Sequence, residues 1–150
     1  MDKFTPQDAE AHSQELGHPT LGEARIAEAQ AQQCVDAYVA AWNESDVERR
    51  LQMLAQVITE DCVYSDPTKY VRGRVAIVDY IREVQANFEG ARIVRTSKVD
   101  VHHYNCRFNW CVIKGDGTSL PECMDFVEFS RDGRIQSVAG FFGQLRPSRT

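Results

Sequence analysis

The fold of this chain is decided by residues 123–142, which read CMDFVEFSRDGRIQSVAGFF. Apolar and polar residues alternate on both sides of the turn sequence Arg131-Asp132-Gly133, and a period of two is typical of β-strands. One strand is predicted from Cys123 to Ser130 and the next from Arg134 to Phe142. Because a short turn connects them, we expect the two strands to pair antiparallel.

The residues before this hairpin extend the pattern toward the N-terminus. Two more strands are predicted, from Ile93 to His103 and from Arg107 to Ile113. A short strand from Cys62 to Asp66 ends at Pro67, which restricts the residue before it and lacks a backbone N–H. Short connections between consecutive strands again favour antiparallel pairing.

Apolar residues in the N-terminal half recur at three- and four-residue steps, which is typical of amphipathic helices. A long helix is predicted from Glu23 to Asn43, a second begins at a capping box opened by Ser45, and a third follows Gly73. Helices followed by a meander of strands predict an α+β fold. The predicted buried faces are Ala27, Ala31, Cys34, Tyr38 and Trp42 on the first helix, Val47, Leu51, Leu54 and Ile58 on the second, and Ile77, Tyr80, Ile81, Val84 and Phe88 on the third.

Three segments of the chain are distinguished by composition. Residues 1–22 are predicted to be a polar leader, in which Gln7 to Leu16 fits a short helix. Residues 23–145 form one domain, and residues 146–150 a short basic tail. A chain of 150 residues can bury a core without disulfides or a structural metal.

Charge and composition exclude several classes of function. The formal net charge is −5, so neither nucleic acid nor an anionic membrane surface is expected as a partner. No run of about 20 apolar residues and no signal-peptide core occurs, which predicts a cytoplasmic protein. The five cysteines form no Cys-x-x-Cys motif, and neither a metal site nor a cofactor is predicted.

One acidic residue lies in an unexpected place. Alternation puts Asp125 on the same strand face as Cys123, Val127 and Phe129, and this apolar face must point toward the helices. An ionised carboxylate is costly there unless it has a partner, and without one its pKa rises. A protonated carboxylic acid in such a place can donate a hydrogen bond to negative charge that develops on a bound carbonyl.

From about Gln32 to Gly143 the chain resembles the nuclear-transport-factor-2-like superfamily, which includes ketosteroid isomerase and small polyketide cyclases. Three stretches carry the resemblance: Tyr38 followed by Asp46, Tyr64-Ser65-Asp66-Pro67 with Gly73-Arg74, and Asp125 to Gln136 without a gap. The resemblance implies a cone-shaped roll, in which N-terminal helices pack on a curved antiparallel sheet and enclose one pocket.

Site roles follow from the resemblance to ketosteroid isomerase. Asp66 falls at the general base, while Tyr38 and Asp125 fall at the two hydrogen-bond donors of the oxyanion hole. The chain has about four more residues between Asp46 and Asp66 than that pattern, which could displace Asp66. The positions implied to line the pocket are Phe108, Trp110, Cys123, Val138 and Phe142, together with Trp42, which alternation and helical spacing also place inward.

Each of these residues also has a structural interpretation. Asp66 before proline is a common turn former, and Tyr38 could be an ordinary core tyrosine. His103 shares a strand face with Val99 and Val101, and if it lines the pocket it is an alternative base. His102 should point to the opposite face.

Taken together, the residues predict a cofactor-free isomerase, dehydratase or cyclase that acts on a small hydrophobic carbonyl or hydroxyl compound. The alternatives are a module of the same fold that binds a small molecule without chemistry, or a domain built for interaction. A homodimer is expected in each case, because an open sheet with one face on helices often pairs its other face.

Overall fold

The computed structural model describes residues 5–15 and 25–149 as helices packed on one curved, unclosed sheet. The α+β fold predicted from the sequence is confirmed. Of the predicted leader, residues 1–4 and 16–22 lie outside the described residues, and the described part contains α1. The elements in chain order are α1 (Pro6–Glu15), α2 (Glu28–Asn43), α3 (Val47–Val57), β1 (Ile58–Asp66), β2 (Lys69–Arg72), α4 (Arg74–Asn87), β3 (Arg92–Arg95), β4 (Asp100–His102), β5 (Asn105–Ile113), β6 (Cys123–Phe129) and β7 (Ile135–Phe141).

The strand order is β2-β1-β7-β6-β5-β3, and β4 pairs with β5 beside β3. The hairpin of β6 and β7 is antiparallel, with Val127 opposite Val138. The expectation of an entirely antiparallel sheet is wrong, because β1 pairs parallel with β7, Tyr64 lying opposite Val138. Short turns fix antiparallel neighbours, whereas nearly half of the chain lies between β1 and β7, and no turn sets their direction.

The run predicted as one strand from Ile93 to His103 forms two strands. β3 pairs with one end of β5 and β4 with the other. Between them Ser97 accepts a hydrogen bond from the backbone N–H of Asn109, and Val99 is buried. The alternating pattern predicted the extended backbone correctly, but this interruption comes from tertiary contacts that the pattern does not contain.

The start of α2 also differs from the prediction. Ala27 is extended, and the helix begins at Glu28 instead of Glu23. The backbone N–H of Ile26 donates to the carbonyl of His103 at 2.9 Å. This bond ties the chain to the turn between β4 and β5, so the helix cannot extend toward residue 23.

The predicted buried face of α3 is confirmed at Leu54 and Ile58 and is wrong at its N-terminal half. Val47 and Leu51 are exposed, whereas Arg50, Leu54 and Val57 are buried. The helix is capped by Asp46 and not by Ser45, since the Asp46 carboxylate accepts the Arg49 N–H at 2.8 Å. Apolar spacing alone does not predict this face, because a buried position on it is occupied by the charged side chain of Arg50.

Arg50 joins three helices at one corner. It is fully buried, and its guanidinium donates to the carbonyl of Glu44 and to Oε1 of Gln85. The Nε2 of Gln85 in turn donates to the carbonyls of Trp42 and Glu44 at 2.8 and 2.9 Å. These bonds satisfy the carbonyls at the end of α2 and fix α4, which carries one wall of the cavity described below.

Arg50→Ala is expected to lower the free energy of unfolding by about 3 kcal/mol, because it removes the guanidinium bonds to the Glu44 carbonyl, leaves Oε1 of Gln85 without its donor and opens a void. Chemical denaturation monitored by circular dichroism measures the loss. Arg49→Ala is the matched control, since this neighbour is 72% exposed and should cost no more than about 0.5 kcal/mol. Equal losses for the two variants would contradict the assigned role.

Within the described part of the chain, no helix is both long enough and apolar enough to cross a membrane.

Candidate functional site

A cavity of about 580 Å³ lies between α2, α4 and the concave face of the sheet. Its walls are mainly apolar, and its polar side chains include Asp66, Asp125, Tyr38 and Tyr80. Strand alternation explains the apolar wall, since every second residue of β5 points inward. β5 contributes Phe108 and Val112, and the other apolar residues of the wall come from α2, α4, β3 and the segment after β5: Val39, Val84, Ile93 and Leu120.

Asp125 lies in the middle of β6, opposite Phe108 on β5 and Gly140 on β7. Only 6% of the residue is exposed, and the indole Nε1 of Trp110 donates to its Oδ1 at 2.8 Å. Among the described residues this is the single hydrogen bond that the Asp125 carboxyl forms, so its Oδ2 is available to a ligand. Burial raises the pKa of Asp125 to about 7, opposed by the Trp110 hydrogen bond and reinforced by the charge of Asp66.

Gly140 provides the space that Asp125 occupies. A β-carbon at this position would stand 3.0 Å from Oδ1 of Asp125 and 3.6 Å from Cβ of Asp66. The Asp125 carboxyl and the Cβ of Asp66 therefore approach the same point of the sheet from either side of β7, where Gly140 has no side chain to separate them. The sequence signal was a glycine on the inward face of a strand, which often marks close approach of another group, but no role was assigned to it.

Gly140→Ala is expected to push the Asp125 carboxyl away from Trp110 and to lower the free energy of unfolding by about 1–2 kcal/mol. The change in the Trp110 environment should appear in tryptophan fluorescence. Gly115→Ala is the control, because this glycine also lacks a left-handed φ and its new β-carbon would meet its nearest atom at 3.4 Å. If Gly140→Ala changed neither the emission spectrum nor the stability, a clash between the new β-carbon and the Asp125 carboxyl would be contradicted.

Asp66, at the end of β1, is held by four hydrogen bonds. The hydroxyls of Tyr64 and Tyr80 each donate to Oδ2 at 2.7 Å. The backbone N–H and the hydroxyl of Thr68 each donate to Oδ1 at 2.8 Å. Burial alone would raise the pKa of Asp66, but these hydrogen bonds outweigh it and lower the pKa below its usual value.

Three residues of this network were missed by sequence reasoning as parts of the site: Tyr64, Thr68 and Tyr80. Tyr64 precedes Asp66 by two residues in β1, so both side chains lie on the same face of the strand. Thr68 directly follows the Asp66-Pro67 turn. These two could have been found from spacing. Tyr80 comes from α4 and meets Asp66 only through the tertiary fold.

Tyr38 projects from α2 and is 3% exposed. Its hydroxyl has no hydrogen-bond partner among the described residues, and its ring meets Trp42 edge-on, with centroids 6.5 Å apart. Burial, and secondarily the nearby charge of Asp125, raises the pKa of Tyr38 well above its usual value. The phenol therefore stays protonated, and its hydroxyl is a buried donor whose hydrogen-bonding capacity is unused.

Aromatic rings connect these groups and continue to the opening of the cavity. Trp42 packs against Tyr64 and Tyr80 with centroid distances of 5.7 and 6.0 Å. On the other wall Trp110 meets Phe142 edge-on at 6.3 Å. Phe142 follows β7 and is 48% exposed, so the ring that supports Trp110 lies at the opening.

Of the residues predicted to line the pocket, the structure places Trp42, Phe108, Trp110, Cys123 and Phe142 on the cavity wall. Val138 is not among the lining residues. It is 2% exposed and paired with Val127, enclosed in the hydrophobic core. Alternation correctly predicted that Val138 points inward. It does not distinguish the inward positions that face the cavity from those that pack directly against other side chains of the core.

The expectation that His103 points inward is wrong. His103 is exposed and does not line the cavity. Its φ of 50° is left-handed, so the chain turns at this residue and the alternation of β4 ends before it. The same turn brings Nδ1 of His103 to 3.2 Å from Nδ1 of His102, although alternation predicted opposite faces.

The comparisons with known proteins agree with this architecture. The model of the SnoaL-like domain matches residues 35–138, which is more than half of the chain, so the protein belongs to this family. The resemblance to the nuclear-transport-factor-2-like superfamily is thereby confirmed. No curated protein matches the chain.

Several solved structures are similar. A candidate isomerase of the SnoaL-like family from Agrobacterium tumefaciens is 34% identical with a TM-score of 0.74, over 77% of this chain and 99% of that one. A candidate ketosteroid isomerase from Kribbella flavida is 18% identical, with a TM-score of 0.60 over 81% and 83% of the two chains. A candidate SnoaL-like polyketide cyclase from Jannaschia is 14% identical, with a TM-score of 0.64 over 80% and 90%. The last two show the fold alone.

Asp125→Asn is expected to stabilise the protein at pH 8 and to leave its stability nearly unchanged at pH 4. The pKa of the Asp125 carboxyl is raised from 3.8, its value in the unfolded chain, to about 7 in the folded protein. The carboxyl therefore lowers the free energy of unfolding as the pH rises above 3.8, and this loss of stability is complete above pH 7. At about 1.4 kcal/mol per pKa unit, the stability that Asp125→Asn gains at pH 8 is at most about 4 kcal/mol. Thermal denaturation at both pH values measures it.

The matched control is Glu128→Gln, an exposed change of the same kind on the same strand. It should shift the midpoint little at either pH. A variant Asp125→Asn that is less stable than the parent at pH 8 would contradict the raised pKa.

Proposed function

We propose that this protein is a cofactor-free general acid–base enzyme. It would act on a small, mostly apolar molecule with a carbonyl or hydroxyl group, by isomerisation, dehydration or cyclisation. One observation carries the proposal: Asp125 is a carboxyl with a single hydrogen bond, buried in an apolar cavity, with its pKa raised to about 7. Acid–base catalysis is most efficient when the pKa of the group lies near the working pH.

The two carboxyl groups suit different roles. Asp66 accepts four hydrogen bonds and has a lowered pKa, so it is a weak base and serves better as a fixed negative charge. Asp125 has a free oxygen and titrates near neutrality. The assignment of the base to Asp66, which came from resemblance, stays a prediction, and the geometry favours Asp125.

In the proposed cycle ionised Asp125 removes a proton from the carbon next to the substrate carbonyl. The electron pair of the broken C–H bond moves toward the carbonyl oxygen, and the Tyr38 hydroxyl donates a hydrogen bond to the charge that develops there. Protonated Asp125 then returns its proton to another carbon, which completes an isomerisation, or to a departing hydroxyl, which completes a dehydration. The apolar walls exclude water from this exchange.

The comparisons support the general class. The similar protein from Agrobacterium tumefaciens is described as a candidate isomerase of the same family, at 34% identity over nearly its whole length. Fold alone does not fix the reaction, so the proposal depends on the position and environment of Asp125.

The experiment follows exchange of carbon-bound hydrogen in D₂O by proton NMR, with a panel of small cyclic enones and β-hydroxy ketones. The wild-type protein should exchange the proton next to the carbonyl of at least one compound, and Asp125→Asn should be slower by about 10²–10⁴-fold. The rate should rise with pH through about 7, because the ionised form acts. Trp110→Phe should move that rise to higher pH, since it removes the hydrogen bond that favours the carboxylate.

Glu128→Gln is the control and should exchange at the wild-type rate. Equal rates in Asp125→Asn and the wild type would refute the role of Asp125. A rate that falls as pH rises through 7 would instead assign Asp125 as the protonated donor of an oxyanion hole. Binding of the compounds without exchange would favour the alternative of a non-catalytic binding domain.

A further inference from the structure

The charged groups at the deep end of the cavity are all acidic. Asp66 is ionised, and Asp125 is the second carboxyl. A β-carbon on Gly140 would stand 3.0 Å from Oδ1 of Asp125 and 3.6 Å from Cβ of Asp66, and both residues line the cavity. Within the described residues neither carboxyl forms an ion pair with a lysine, arginine or histidine. The nearest lysine in register, Lys69 opposite Asp66 on β2, pairs with Glu83 at 3.6 Å. A ligand that reaches this point therefore meets carboxyl groups with which no basic side chain of the described residues forms an ion pair.

The basic groups of the cavity wall are confined to its other end. Among the described lining residues there is no lysine or histidine, and the one arginine, Arg92, is exposed. On β5, the residue opposite Arg92 is Ile113 and the residue opposite Asp125 is Phe108. Arg92 and Asp125 are therefore five residues apart, measured along β5. At about 3.4 Å per residue the two positions are about 17 Å apart along the strand, and the Arg92 side chain is exposed to solvent.

We infer that the part of the ligand that reaches Asp66 and Asp125 is uncharged or cationic, and that an ionised carboxylate is excluded from it. The inference rests on the proposed function only in taking the cavity as the ligand site. Repulsion between like charges is strong in an apolar cavity, because little solvent screens it. A cation is tolerated, since the two carboxylates and the rings of Trp42, Tyr64 and Tyr80 attract it.

The inference narrows the class of substrate. A carbonyl or hydroxyl compound would enter with an uncharged or amine-bearing end first, and any acid group would have to lie toward the opening. A reaction that created a free carboxylate at the deep end would also weaken the binding of its own product.

The test compares three molecules with one aromatic skeleton: 2-naphthylmethanol, 2-naphthylmethylamine and 2-naphthoate. Their affinities for the full-length protein are measured by titration calorimetry at pH 8 and pH 5.5. At pH 8 the alcohol and the amine should each bind at least tenfold more tightly than the carboxylate. At pH 5.5 the gap between alcohol and carboxylate should narrow, because Asp125 is protonated while Asp66 stays ionised.

In Asp125→Asn, the difference in affinity between the alcohol and the carboxylate at pH 8 should be as small as in the wild type at pH 5.5. This difference should no longer depend on pH. Glu128→Gln, with the same loss of charge on the outer side of β6, should leave the gap as in the wild type. The inference is overturned if the carboxylate binds at pH 8 as tightly as the alcohol, if none of the three molecules binds, or if pH and Asp125→Asn leave the gap unchanged.

These binding measurements are independent of turnover. Charge discrimination without proton exchange would reject the proposed enzyme and keep this inference. Proton exchange without charge discrimination would do the reverse.

Discussion

The burial of the Asp125 carboxyl against the Trp110 indole is the constraint on which the rest of the site depends. The sheet must curve around this group, β7 must pass it without a side chain at Gly140, and the helices must cover it with apolar residues. A carboxyl group without compensation is unfavourable in such a place, and its raised pKa is the consequence. The fold gives up stability at neutral pH in order to keep an ionisable group there.

Asp66 shows how the same residue type acquires opposite properties a short distance away. Four hydrogen bonds stabilise its charged form, whereas Asp125 receives one. Their pKa values are therefore displaced in opposite directions. Two carboxyl groups with separated pKa values are the usual basis for dividing the work of acid–base chemistry between them. The phenol of Tyr38, which has no partner in the described residues, adds a third group whose hydrogen-bonding capacity is unused.

Much of the fold could be predicted from the sequence, because it follows from short-range patterns. The helix after Gly73 and the strands of the final hairpin lie where periodicity and turn residues put them. The errors occur where distant contacts override a local pattern. The bond between Ile26 and His103 delays the start of α2. Val47 and Leu51 are exposed where burial was predicted, whereas Arg50 is buried with its guanidinium bonded to the Glu44 carbonyl and to Gln85.

The sequence by itself determined that Asp125 lies on the inward, apolar face of a strand, since strand alternation admits only two faces and the neighbouring residues identify the inner one. It likewise placed Tyr38 and Trp42 on the buried side of the first long helix. Only the tertiary structure decided which groups meet. The parallel pairing of β1 with β7 brings Asp66 beside Asp125, α4 supplies Tyr80, and the turn at His103 removes that histidine from the cavity. These outcomes depend on contacts between segments far apart in the chain, which no local pattern encodes.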